Sequence, residues 1–122
     1  MRAPQIQEPM TGEETARLCA KYADDKKAED ITILDVRGLS PITDYFVICT
    51  ASSPPHLRAI QSEIDDQMIV EHGMRPRWRD TNYESQWLVL DYGDVMVHMF
   101  QQEKREFYGL EQLWSDAKKV EA

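Results

Sequence analysis

Residues 45 to 51 read YFVICTA, seven residues in which Thr50 alone interrupts the apolar run. So short a run, rich in aromatic and β-branched side chains, predicts a strand covered on both faces. Its surroundings agree. ITILDVR (31 to 37) is a second β-branched strand, and the turn-rich GLSPITD (38 to 44) joins the two. Downstream, Ser53 followed by Pro54 is a helix start, because proline at the first helical position has a preset φ and loses only an amide that lacks an intrahelical partner. Leu57, Ile60, Ile64 and Met68 then recur at spacings of three and four, and Gly73 supplies the C-terminal cap.

Upstream, TGEE (11 to 14) has the form of a capping box, with the Thr11 hydroxyl accepting from the Glu14 amide. Leu18, Cys19, Tyr22 and Ala23 form a helical apolar stripe, closed by the charged run DDKKAED. Further on, RPRWRD (75 to 80) is a short edge strand, since Pro76 cannot donate to a ladder. WLVLDYGDVMVHMF (87 to 100) reads as a β-hairpin turning at Tyr92-Gly93. LEQLWSDA (110 to 117) places Leu110, Leu113, Trp114 and Ala117 on one helical face, with a short helix at 102 to 108 before it. The order α-β-β-α-β-β-β-α predicts an α/β fold, a mixed sheet flanked by helices. Residues 1 to 10 read as a loose arm, 11 to 119 as a single domain and 120 to 122 as a tail.

A chain of 122 residues is one domain that buries roughly two-thirds of its unfolded surface without disulfides. Cys19 and Cys49 have no CxxC spacing and read as reduced core residues. No apolar run approaches the ~20 residues of a membrane span, and the start MRAPQIQEPMTGEE lacks the apolar stretch of a signal peptide, so the expected location is the cytoplasm. The formal net charge of -8 argues against broad phosphate-backbone binding and favours encounter with a basic partner.

Three places could carry chemistry. In the hairpin, Asp91 and Asp94 bracket a tight turn, where aspartate commonly bonds backbone amides, and His98 alternates with Met96 and Phe100 without the second ligand of motifs such as HExxH. A structural or partner-facing role is the simpler reading. The junction TASSPPHL follows a strand, as phosphate cradles do, but Pro54 and Pro55 delete two amides and no glycine fingerprint is present; Ser52 and Ser53 read as capping residues. Arg75, Arg77 and Arg79 share one face if extended, with Trp78 opposite, which is either a solvated edge protected by charge or a stripe that touches phosphates. Asp24-Asp25 and Asp65-Asp66 read as helix-surface pairs. Trp87, opening a strand beside the polar TNYESQ, and Tyr92, in a turn, occupy positions that suit half-buried interface anchors, whereas Trp114 at helical spacing reads as core. The residues alone thus describe an acidic α/β domain that binds rather than catalyses. An RNA-binding module using the arginine stripe and a nucleotidyltransferase-like enzyme stay open as alternatives.

DKKAEDITILDVRGLSPITDYFVICTASS, WLVLDYGDVMVHMF and REFYGLEQLW together resemble the ribosomal silencing factor family, also called Iojap-like proteins. The resemblance runs from about Leu18 to Ala117, and is most specific at Thr43-Asp44-Tyr45, in the hairpin and at Leu110-Glu111 with Leu113-Trp114. It implies a nucleotidyltransferase-like fold without enzyme activity, cofactor or metal; the glycine-serine element and spaced aspartates of active members of that fold are not found. It also implies binding to the large ribosomal subunit through its ribosomal protein fourteen, a block on joining with the small subunit, and lower translation when nutrients are scarce. Carried onto this sequence, the binding surface centres on Trp87, Asp91 and Tyr92, with Asp94, His98 and Phe100 in or beneath it. The resemblance allows a homodimer in the free protein and a minor contact with ribosomal RNA. The sequence departs from the family at Asp80-Thr81, where Glu-Gly is usual, and at Pro54-Pro55, where a polar residue and an arginine are frequent.

Overall fold

The computed structural model describes residues 10 to 121. The expected arm at 1 to 10 therefore lies, but for Met10, outside the described residues. Along the chain run α1 (Gly12–Asp25), β1 (Glu29–Asp35), β2 (Tyr45–Ala51), α2 (Pro54–His72), β3 (Trp78–Arg79), β4 (Trp87–Asp91), β5 (Val95–Gln101), α3 (Gln102–Tyr108), α4 (Leu110–Leu113) and β6 (Lys118–Val120). The strands form one sheet in the order β3-β4-β5-β2-β1-β6. Among the described residues only β2 and β5 pair in parallel, and α2 lies in the crossover between them. The sheet is mixed and flanked by helices, as its sequence implies.

YFVICTA is a central strand, with all seven residues buried. Alternation along it divides the core. Tyr45, Val47, Cys49 and Ala51 belong to a cluster with Ala16, Cys19, Ile60, Ile64 and Met68 from α1 and α2. Phe46 and Ile48 point the other way, joining Leu34, Val36 and Phe100, and that second cluster is covered by Trp87, Met96, Leu110, Trp114 and Ala117. Two helices cover one face of the sheet, and the C-terminal segment covers the other.

Local signals hold at the helix ends. The Thr11 hydroxyl accepts from the Glu14 amide at 3.1 Å and the Ser53 hydroxyl from the His56 amide at 3.2 Å, while Gly73 ends α2 with φ at 63°. Three expectations change. The last helix does not run to 117: it stops at Leu113, whose side chain is 75 % exposed, and Trp114 is half-buried rather than enclosed. The chain turns away because residues 118 to 120 add a strand, β6, on the free edge of β1, with Val120 opposite Ile33. The expected tail thus begins inside a strand. The third change is Asp65, expected on the surface of α2 and found 3 % exposed, paired with Arg79 of β3. The half-exposed Arg79 side chain reaches from the edge strand to that carboxylate, and Gln61 of α2 donates to the Asp80 carbonyl just beyond it at 2.9 Å.

Candidate functional site

The hairpin β4-β5 pairs Trp87 with Phe100, Val89 with His98 and Asp91 with Met96. These residues share the face opposite α1 and α2, because Leu88, Leu90, Val97 and Met99 fill the helical core. Trp87 is held from both ends of its residue. The Ser85 hydroxyl accepts from the Trp87 amide at 3.2 Å and donates to its carbonyl at 2.8 Å, and the indole Nε1 donates to His98 Nδ1 at 3.1 Å. Its ring stacks on Phe100 with centroids 4.9 Å apart and lies 4.7 Å from Tyr108 of α3. The outcome is a half-buried indole between a buried phenylalanine and a tyrosine that is 49 % exposed.

His98 lies beneath this platform, 5 % exposed, with Phe46 edge-on at 5.0 Å. Because Nδ1 accepts from the indole, the neutral ring carries its proton on Nε2, which has no hydrogen-bond partner. Burial disfavours the charged form and pushes the imidazole down to about 4. Among the described residues, no carboxylate is hydrogen-bonded or ion-paired to it. A neutral, enclosed imidazole orients Trp87 and has neither the access nor the protonation state of a general acid near neutral pH.

The two aspartates of the turn do different work. Asp91 Oδ1 accepts from the Gly93 amide at 2.7 Å, a turn-closing bond, with Gly93 at φ 86°. Asp94 presents an exposed side chain, while its carbonyl accepts from the Asp44 and Tyr45 amides at 3.0 Å each and so ties the turn to β2. Tyr92 departs from the expectation of a turn aromatic facing a partner beside Trp87. Its side chain packs against the helical core on the opposite face of the sheet, and its hydroxyl is buried without a partner, held well above the ordinary range by desolvation. Strand parity explains this: Tyr92 follows Asp91, so it points away from the face that Trp87, Val89 and Asp91 share. The structure thus brings Trp87, Asp91, His98 and Phe100 to one face, puts Asp94 at its end, and sends Tyr92 elsewhere.

The other candidates lose their free groups. At the start of α2, the Ser52 amide donates to His56 Nδ1 at 2.9 Å, and His56 Nε2 donates to the Lys26 carbonyl at 2.7 Å. The His56 amide itself bonds Ser53, so internal partners take donors that a phosphate would need. Of the arginines, Arg79 is committed to Asp65, and Arg77 lies against the hairpin turn at Gly93. Only residues 78 and 79 are extended as a strand, so the stripe is not a row of three free cations. Among the described residues, no group of three or more histidine, cysteine or carboxylate side chains could hold a metal ion, and no helix is long and apolar enough to cross a membrane.

Sequence reasoning did not find two residues of this face, Tyr108 and Arg105. Both lie on α3 three positions apart, and that i, i+3 spacing was the signal that they share a side of the helix.

A family model described as "Ribosomal silencing factor during starvation" matches residues 9 to 122. A ribosomal silencing factor of Bacillus subtilis (strain 168) is 43 % identical over 101 residues, 83 % of this chain and 85 % of that protein. The chloroplastic protein Iojap of Arabidopsis thaliana is 39 % identical over 102 residues, 84 % of this chain and 42 % of that longer protein. Among solved structures, one from Bacillus halodurans superposes with a TM-score of 0.77 at 34 % identity, covering 90 % of this chain and 99 % of that one. A Chromobacterium violaceum structure gives 0.82 at 25 % identity, covering 87 % and 88 %. Matched along almost its whole length, the chain belongs to the ribosomal silencing factor family.

Proposed function

We propose that this protein binds the large ribosomal subunit through its ribosomal protein fourteen, blocks joining with the small subunit, and so represses translation when nutrients are limiting. The observation that carries the reading is the half-exposed Trp87–Tyr108 pair on the sheet face that α1 and α2 leave free. Large aromatic rings at a surface suit a protein contact, because they offer apolar area at small entropic cost. The name of the family, ribosomal silencing factor, supports the ribosome as the site of action. The net charge of -8 fits a basic protein patch better than bare RNA, so any contact with ribosomal RNA is minor. The protein acts in this reading as a cytoplasmic binding factor without catalysis, consistent with a neutral, enclosed His98. Sedimentation tests it: mixed with separated subunits, the protein is expected to travel with the large one and to lower the fraction that joins the small one. Cosedimentation with small subunits alone, or with neither, overturns the proposal.

A further inference from the structure

We propose that Arg105 is the positioning residue of this surface, docking α3 across the sheet so that Tyr108 is held on Trp87; the inference rests on reading the Trp87 face as the docking surface. Helix α3 has only seven residues, none of them buried, and no side-chain cap at its start. A helix that short is not stable by itself. Among the described residues, its side-chain hydrogen bonds to the rest of the fold all come from one guanidinium, whose side chain is 13 % exposed. Arg105 Nε donates to Glu111 Oε1 at 2.7 Å, Nη1 to Thr50 Oγ1 at 3.0 Å and to the Asp30 carbonyl, and Nη2 to Thr32 Oγ1 at 3.1 Å. One side chain thereby joins α3 to β1, β2 and α4.

Tyr108 lies one turn further along the same face of α3, with its ring 4.7 Å from Trp87 and 6.0 Å from Phe100. Beyond it, Gly109 at φ 61° turns the chain into α4, which returns Glu111 to the guanidinium. The ring and the arginine therefore move together. Lysine cannot replace the fork, because one ammonium cannot reach acceptors on three elements at once.

The test needs no ribosome for its first readout. The chain has three tryptophans, so NMR of the nitrogen-labelled protein resolves the Trp87 indole N–H as its own resonance. In Arg105→Ala and in Arg105→Lys that resonance is expected to shift, and its hydrogen exchange to rise at least about tenfold, while unfolding stays cooperative. Tyr108→Ala should reproduce the change with Arg105 present. Adding Arg105→Ala to Tyr108→Ala should then weaken large-subunit binding little beyond Tyr108→Ala alone, because the arginine acts through the ring. Glu111→Gln, a milder change, should move the indole in the same direction. An unmoved Trp87 resonance in both Arg105 variants, or fully additive binding losses, overturns the inference. A moved resonance with unchanged subunit binding upholds the positioning role and overturns the docking reading instead.

Discussion

Protonating His98 is the perturbation whose cost follows most directly from the structure. Its ring is buried, its Nδ1 faces the Trp87 indole N–H, and a proton on Nδ1 would set two donors against each other. Burial takes the imidazole from its ordinary 6.5 to about 4. A group depressed in the folded state contributes stability that is complete above its unfolded value and is lost as pH falls toward the folded one. Each pH unit is worth about 1.4 kcal/mol, so the full interval amounts to roughly 3 kcal/mol, of which about 2 kcal/mol is lost between about pH 7.5 and about pH 5. For a domain this size the loss lowers Tm by roughly 8 °C. The carboxylates of Asp35 and Glu111, both held down by arginine partners, add slope of the same sign further into acid. Comparison with His98→Gln isolates the histidine: urea unfolding at a series of pH values should give the native protein the steeper dependence, by about that 2 kcal/mol over the interval. Parallel curves would refute the claim that the fold holds His98 neutral.

Trp87→Ala is expected to weaken large-subunit binding at least about thirtyfold, and also to lower Tm, because the indole is bonded to His98 and stacked on Phe100; binding by sedimentation well below the melting point separates the two effects. Tyr92→Phe removes a buried hydroxyl that has no partner, and calorimetry should show stability kept or raised by up to about 1 kcal/mol with subunit binding unchanged. Arg79→Ala leaves the buried Asp65 carboxylate unpaired and should cost about 1–3 kcal/mol, less than for a fully enclosed pair because the arginine is half-exposed. Arg75→Ala combined with Arg77→Ala spares that ion pair and should leave both affinity and its salt dependence intact; a flattened salt slope would reinstate an RNA contact.

The parts of the fold legible in sequence are those specified by near neighbours. YFVICTA declares its double burial by composition, Ser53-Pro54 its helix start by backbone chemistry, and the Trp87–Phe100 hairpin its turn by Tyr92-Gly93. What stayed hidden depends on residues far apart in sequence. Nothing in KKV marks a strand until Val120 meets Ile33. Asp65 sits one position after Ile64, beside the apolar ridge of α2 and four residues after the buried Gln61, and only Arg79, fourteen residues later, makes its burial tolerable. Tyr92 is different, since the period of two along β4 places it with Leu88 and Leu90 on the helical face even though it stands in the turn.

The two faces of the sheet differ in how completely the helices cover them. On the face of α1 and α2, Ser52 and His56 close the strand-to-helix junction, one oxygen of Asp65 pairs with Arg79, and Cys19 and Cys49 are buried thiols, with burial pushing Cys49 up to about 12. The other face has only a thin cover, two short helices with no buried residue of their own. Such a cover cannot enclose everything beneath it, and what it leaves at the rim is aromatic: Trp87 half-buried, Tyr108 half-exposed, and Phe107 74 % exposed. Apolar rings kept at a rim in an acidic protein make sense when something else completes the layer. On this reading the partner supplies the cover that the C-terminal segment leaves unfinished, so affinity depends on how firmly α3 is seated as much as on the rings it presents.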